Sequence, residues 1–133
     1  MKVFFDNNFS RPLVKIINRY CKIHGKNYLI CHLQDRFEPN VPDKTWIKHL
    51  ASEGGWTVIT LDRAITRRGS EERKAMQNSK LRFLFCPSIF VESDKSEQKR
   101  IVSMRISSLL RQLRNKYKDE LVLFIDANWK LKK

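Results

Sequence analysis

The sequence predicts an α/β fold: one compact domain over residues 1–133, with a central, mainly parallel sheet flanked by helices, closed by a long helix and a hairpin. Three observations carry this reading. Short β-rich runs alternate with helical patterns, and each gap has room for a crossover helix, the arrangement that builds parallel sheets. The alternation gives way only at the end, where two strand-like runs are separated by a tight turn. No repeat, linker or low-complexity segment divides the 133 residues, a length ordinary for one domain.

Each element has its own signal. Residues 2–5 (KVFF) read as the first strand, ended by Asp6. Ser10 is the expected N-cap of the first helix, where its hydroxyl meets an otherwise orphaned N–H, and Pro12 is tolerated in the first turn. Leu13, Ile16, Ile17 and Tyr20 follow at helical spacing, and His24-Gly25 closes the helix, where a cation suits the dipole. Residues 28–33 (YLICHL) read as the second strand. A loop with Pro39 and Pro42 leads to a second helix whose apolar face is Trp46, Ile47, Leu50 and Ala51, ended by Gly54-Gly55. Residues 56–61 (WTVITL) form the clearest strand, followed by Asp62. Residues 70–79 read as a helix opened by Ser70 with Glu71 and Glu72. Residues 81–86 (LRFLFC) form a fourth strand before Pro87. A long helix runs from about Asp94 to Lys118, with Val102, Ile106, Leu109, Leu110, Leu113 and Tyr117 as its apolar stripe. Arg100, Arg111, Arg114 and Lys118 lie mostly off that stripe and read either as the solvated face of a packing helix or as an RNA-binding helix. ELVLFIDANWKLKK reads as a closing hairpin with its turn around Asp126 to Asn128.

Composition narrows the function. Lys and Arg number 27 against 14 acids, a net charge of +13. A protein this basic usually meets a polyanion. Nucleic acid fits better than membrane: no apolar run approaches the ~20 residues of a span, and no basic amphipathic helix shows an exposed aromatic face. Few aromatics interleave with the basic clusters, so no stacking platform for single strands is expected. Asp6 interrupts the first apolar stretch, so no signal peptide is expected and an intracellular, cytoplasmic location follows. Cys21, Cys31 and Cys86 are odd in number and fit no zinc spacing, which reads as free thiols. His24, His32 and His49 form no H-x-x-x-H arrangement.

The acids carry the sharper hypothesis. Asp6 ends the first strand and Asp62 ends the third, so in a parallel sheet both lie on one edge, the edge where open α/β sheets bind ligands. Asp43 follows Pro42 at the start of the helix leading into the third strand, and Asp35 and Glu38 follow the tip of the second. Each has a plain structural reading: Asp43 as an N-cap, Asp62 as a turn residue beside Arg63, Asp6 as a cap near Ser10 or the partner of a lysine. Clustered, they need a cation, because two carboxylates about 4 Å apart repel by about 4 kcal/mol at an effective dielectric of about 20. Basic side chains meet that need, and so does a hard divalent ion such as Mg²⁺, which activates water and steadies a phosphate under attack. Arg63, Arg67 and Arg68 follow Asp62 and read either as holders of backbone phosphates or as solvated loop arginines.

These residues together resemble a known family. FFDNNFSRPLVKIINR is similar to the opening of PIN-like proteins, whose first strand ends in Asp before a turn and helix. HLQDRFEPNVPDKTWIKHLASEGGWTVITLDRAITRR resembles the middle of the VapC-type toxin group: an Asp-Arg-Phe loop, a Pro-Asp helix start with a following Trp, then a strand ending Thr-x-Asp-Arg. The resemblance covers roughly residues 1–90. It implies a Mg²⁺- or Mn²⁺-dependent endoribonuclease, RNA as substrate, a cognate antitoxin as partner, and a homodimer among the assemblies allowed. Asp6, Asp43 and Asp62 would be the catalytic and metal-site acids. Thr60, Asn8, Asp35 and Glu38 would be supporting or additional groups, and Arg36, Arg63, Arg67 and Arg68 would bind the nucleic acid. Relatives often carry Glu where this chain has Asn7 or Asn8, and a further Asp where it has Ala64. That leaves fewer carboxylates than a two-metal site uses. A non-catalytic nucleic-acid-binding module on the same fold and a DNA-directed nuclease are the competing expectations.

Overall fold

The computed structural model describes residues 1–61, 70–86 and 94–133. Six strands form one sheet: Lys2–Phe5 (β1), Leu29–His32 (β2), Trp56–Thr60 (β3), Arg82–Phe85 (β4), Val122–Ile125 (β5) and Leu131–Lys132 (β6). Their order is β2-β1-β3-β4-β5-β6. The first five run parallel and β6 returns antiparallel to β5, so the expected hairpin closes the sheet. Four helices are described: Arg11–Ile23 (α1), Asp43–Glu53 (α2), Glu71–Ser79 (α3) and Lys95–Asn115 (α4).

Alternating side chains send each strand's apolar residues to two separate cores. Val3 and Phe5 of β1, Ile59 of β3, Leu84 of β4, and Leu123 and Ile125 of β5 join α1 and α4 on one face. Phe4, Val58, Phe83 and Phe85 join α2 and α3 on the other. The central strands β1, β3 and β4 are buried on both faces, as the middle of a three-layer sandwich requires, while β2 and β5 are buried mainly on the α1 side.

The helix ends follow from capping chemistry. The Ser10 hydroxyl accepts from the Leu13 N–H at 3.2 Å, as expected. Gly25 takes φ +68°, and the Lys26 N–H reaches back to the Cys21 carbonyl at 2.8 Å, ending α1 after His24. Ser70 caps α3 through the Arg73 N–H at 3.0 Å. The buried face of α1 is Leu13, Val14, Ile17 and Cys21, with Tyr20 half-buried; Ile16 lies at its flank and is exposed. In α4, Ile106, Leu109, Leu110 and Leu113 are buried as the stripe predicts, while the Val102 side chain lies outside the described residues. That helix ends at Asn115 rather than Lys118, and Tyr117 packs from the following turn, its hydroxyl donating to the Leu131 carbonyl at 3.1 Å. Cys21 and Cys86 are buried and Cys31 half-buried, none of them in a disulfide, with burial raising the pKa of Cys21 and Cys31.

The crossovers fix which edge matters. The chain steps from β1 outward to β2, then back across β1 to β3, so the strand order reverses between β1 and β3. With one crossover hand, that reversal puts α1 and α2 on opposite faces. The β4–α4–β5 unit departs from this pattern. The strand order keeps advancing as it does through α3, yet α4 packs beside α1. Its hand is therefore opposite to that of the other three crossovers. The burial reason is direct: without α4 the apolar α1-side residues of β3, β4 and β5 would face water.

Candidate active site at the carboxyl edge of the sheet

All five parallel strands end at one edge, and their order reverses there between β1 and β3, the place where open α/β sheets bind ligands. Asp6 sits at this switch. Its N–H donates to the Ile59 carbonyl at 3.4 Å, carrying the β1–β3 pairing one residue past the strand. The side chain is 5% exposed, so its charge must be held by donors. One carboxylate oxygen accepts from the Asn8 N–H at 3.1 Å, and the other accepts from the hydroxyl of the fully buried Thr60. The Phe9 N–H donates to the Asp6 carbonyl at 3.2 Å, completing a tight turn, and the buried Phe9 ring packs edge-on to Phe5.

The next strand tip holds this turn in place through a residue the sequence reading left without a role. His32 is 1% exposed. Its Nε2 lies 2.7 Å from the Phe9 carbonyl oxygen, and its Nδ1 accepts from the Gln34 N–H at 3.0 Å. A carbonyl can only accept and an amide can only donate, so the ring proton sits on Nε2. His32 thereby ties the end of β2 to the Asp6 turn. The signal was present as His-x-x-Asp at a strand end, a pattern resembling a capping box. The Asp35 carboxylate accepts from the His32 N–H at 2.9 Å while the His32 ring accepts the inner N–H.

Asp35 is thus a cap on the short 3-10 turn Leu33–Asp35, and it also accepts from Arg11 at 2.8 Å. Burial pushes its carboxyl pKa up, but the His32 N–H and the Arg11 guanidinium together outweigh that and hold it below the ordinary 3.8. A carboxyl with a depressed folded pKa adds stability that is fully present above its unfolded value and is lost as pH falls through the folded value. Asp35→Asn should therefore lower the urea midpoint at neutral pH, with the difference from the parent shrinking below about pH 4. A difference independent of pH would show that the charge of Asp35 contributes nothing.

Asp43 corrects one expectation. It is the first residue inside α2, not the N-cap; Pro42 occupies the cap position and offers no side-chain bond. Asp43 still lies at the positive end of the helix, and one carboxylate oxygen accepts from Trp46 Nε1–H at 3.0 Å. Trp46 is fully buried and stacks on Phe4 of β1, ring centroids 5.2 Å apart. Because α2 runs back against the strands, its start stands on the same sheet edge as Asp6. Asn7 connects the two regions: its amide donates to the Pro39 carbonyl, and its oxygen accepts from Gln34 at 3.1 Å.

The remaining expected residues divide. Asn8 is exposed and contributes its backbone N–H to Asp6. Glu38 is exposed in the loop before α2, its carbonyl accepting from the Val41 N–H at 3.1 Å. Arg36 is drawn elsewhere. It pairs with Glu53 at the last turn of α2 and lies over the ring of Trp56, 5.2 Å from its centroid, at the amino end of β3. Asp62, Arg63, Arg67 and Arg68 lie outside the described residues.

The donor set has a definite chemistry. Among the described residues, no group of three or more His, Cys, Asp or Glu gathers as a metal site. What the edge does present is hard oxygen: a buried carboxylate oriented by two donors, and a second carboxylate oriented by an indole N–H. Mg²⁺ is commonly held by one or two carboxylates, with waters and substrate phosphates completing its shell, and ligating carboxylates are themselves held by outer hydrogen bonds. The residues fit such an ion and do not fit a closed zinc site.

A family model described as a PIN like domain matches residues 1–88. The chain belongs to the PIN-like domain family. PIN-like domains are generally nucleases that use divalent metals. The matched part of this PIN-like chain includes β1 to β4 and every site residue discussed above, while α4 and the closing hairpin lie beyond it. No match was found among curated proteins or among solved structures. No described helix of this PIN-like chain is long and apolar enough to cross a membrane.

Proposed function

We propose that this PIN-like chain is a metal-dependent endoribonuclease of the VapC-type toxin group, controlled by a cognate antitoxin. The observation that carries the reading is Asp6: a buried acid at the strand-order reversal, with both oxygens oriented by Thr60 and the Asn8 N–H. Asp6, Asp43 and Asp62 are the residues that would hold a Mg²⁺ or Mn²⁺ ion. When bound, such an ion lowers the pKa of a water and offsets charge on a phosphate. Thr60 and the Asn8 N–H fix the orientation of the Asp6 carboxylate. Trp46 does the same for Asp43 through its indole N–H. Arg63, Arg67 and Arg68 would hold the phosphodiester backbone, and the net charge of +13 draws in a substrate that the acids alone would repel.

A second reading has its own support. Asn7 and Asn8 stand where relatives often carry an acid, and no three metal-binding side chains gather among the described residues. That pattern suits a module that binds nucleic acid without cutting it. Incubation with RNA separates the two. Cleavage that requires Mg²⁺ or Mn²⁺ and stops in EDTA is the expected result. RNA binding with no cleavage under any metal would favour the binding module, and metal-dependent cleavage of DNA alone would favour a DNA-directed nuclease.

A further inference from the structure

The basic charge of this protein is not spread evenly. Arg11, Lys15, Arg19 and Lys22 of α1 are all exposed. At 3.6 residues per turn their spacing puts them in one row, about 16 Å long, on the side opposite the buried Leu13, Val14, Ile17 and Cys21. The helix sequence, RPLVKIINRYCKI, contains no acid. Arg11 is paired with Asp35; among the described residues no salt bridge engages Lys15, Arg19 or Lys22. Beyond the Arg11–Asp35 pair, the like charges of Lys15, Arg19 and Lys22 repel one another along the row, and an anion lying along them would offset that cost. They are not required for packing, so a ligand is the economical reason for their alignment.

The reversed crossover brings more charge to the same face. Because α4 packs beside α1, its exposed Arg111 and Arg114 add positive charge to that side of the sheet, and among the described residues they too lack salt bridges. The opposite face is different. There Lys44, Lys48 and Lys74 line a groove of about 420 Å³ between α2 and α3, but Glu71 shares it and pairs with Lys44 at 3.2 Å. The α1 row also starts beside Asp6: Ser10, the cap of α1, follows it by four residues, at the same sheet edge.

We propose that the outer face of α1, widened by α4, is the docking track for the phosphodiester backbone of the RNA, leading the strand to the Asp6 edge. The proposal rests on the nuclease reading for where the track leads, but its contacts are testable without any cleavage. An acidic lipid surface is the other polyanion such a row suits; Ile16 and Ile23 are exposed beside it, but among the described residues no exposed aromatic anchor accompanies them.

The test is fluorescence anisotropy of a short labelled single-stranded RNA with the full chain in EDTA, over a range of salt. The triple variant Lys15→Gln, Arg19→Gln, Lys22→Gln should lose affinity by about tenfold, and the slope of log K against log salt should fall by about two. A control with the same loss of charge on the other face, Lys44→Gln, Lys48→Gln, Lys74→Gln, should change affinity by less than about twofold. All six positions are exposed or half-exposed helix sites, and far-ultraviolet circular dichroism checks that both variants keep the fold. Equal losses in the two variants would mean that only net charge matters and would overturn the track. No loss in the α1 variant would overturn it as well. So would a variant that keeps RNA binding but loses binding to phosphatidylserine vesicles. If the parent binds RNA through α1 yet never cleaves it with Mg²⁺ or Mn²⁺, the track stands and the nuclease reading falls.

Discussion

Asp6→Asn should abolish metal-dependent cleavage, lowering the rate by about a thousandfold or more, while leaving the fold intact. The expected scale is that of losing a group acting directly at the reacting centre. The fold should survive because asparagine keeps an oxygen that can accept from the Asn8 N–H, the bond that shapes the turn. The Thr60 hydroxyl can rotate to accept from the new amide, so the buried pair stays satisfied. Urea melts should agree with the parent within about 1 kcal/mol. Retained activity in this variant would sink the assignment of Asp6. Lost activity together with a collapse of stability would instead show that Asp6 acts as a structural anchor.

Trp46 carries the largest expected stability effect. It is fully buried, stacks on Phe4 at 5.2 Å and lies in the core shared with Ile47, Leu50 and Val58. Trp46→Ala should cost about 3–5 kcal/mol through lost transfer energy and the cavity left behind. Against a typical total stability of about 5–15 kcal/mol, that brings the protein close to unfolding. Trp46→Phe is the discriminating variant. It keeps most of the aromatic packing but removes the N–H that holds Asp43 at 3.0 Å. We expect a stability loss of about 1–2 kcal/mol and a fall in cleavage rate of about tenfold. Full activity in the phenylalanine variant would show that the indole hydrogen bond is irrelevant to how Asp43 works.

The elements themselves were largely legible. β3 was plain because every residue of Trp56–Thr60 is buried and β-prone. Ser10 and Ser70 announced two helices because a hydroxyl before a helical pattern meets a real hydrogen-bond deficit. Asp43 misled for a related reason: proline can also precede the first turn, and an aspartate one place further in gains from the helix dipole without capping. Arg36 read as a candidate for phosphate contact, since nothing local says that Glu53, seventeen residues on, and the Trp56 ring will claim its guanidinium. His32 was silent because its partners come from two other segments: the Phe9 carbonyl before α1 and the Gln34 amide after β2.

Periodicity and caps by themselves determined the parallel α/β class and most of the helix starts, and the strand-end position of Asp6 marked it as a candidate site residue. All of these are local, set by hydrogen bonds and burial within a few residues of chain. Tertiary structure alone decided three other things. It placed the order reversal between β1 and β3, so that Asp6 lies at that switch beside Thr60. It turned His32 into the clamp on the Asp6 turn. It set α4 on the face of α1 against the usual crossover hand, because that side of the sheet had apolar residues left to cover. The last decision gathers the arginines of α4 beside the basic row of α1. A local pattern shows that a helix has a charged side, but only the packing of its apolar side determines where that charge points.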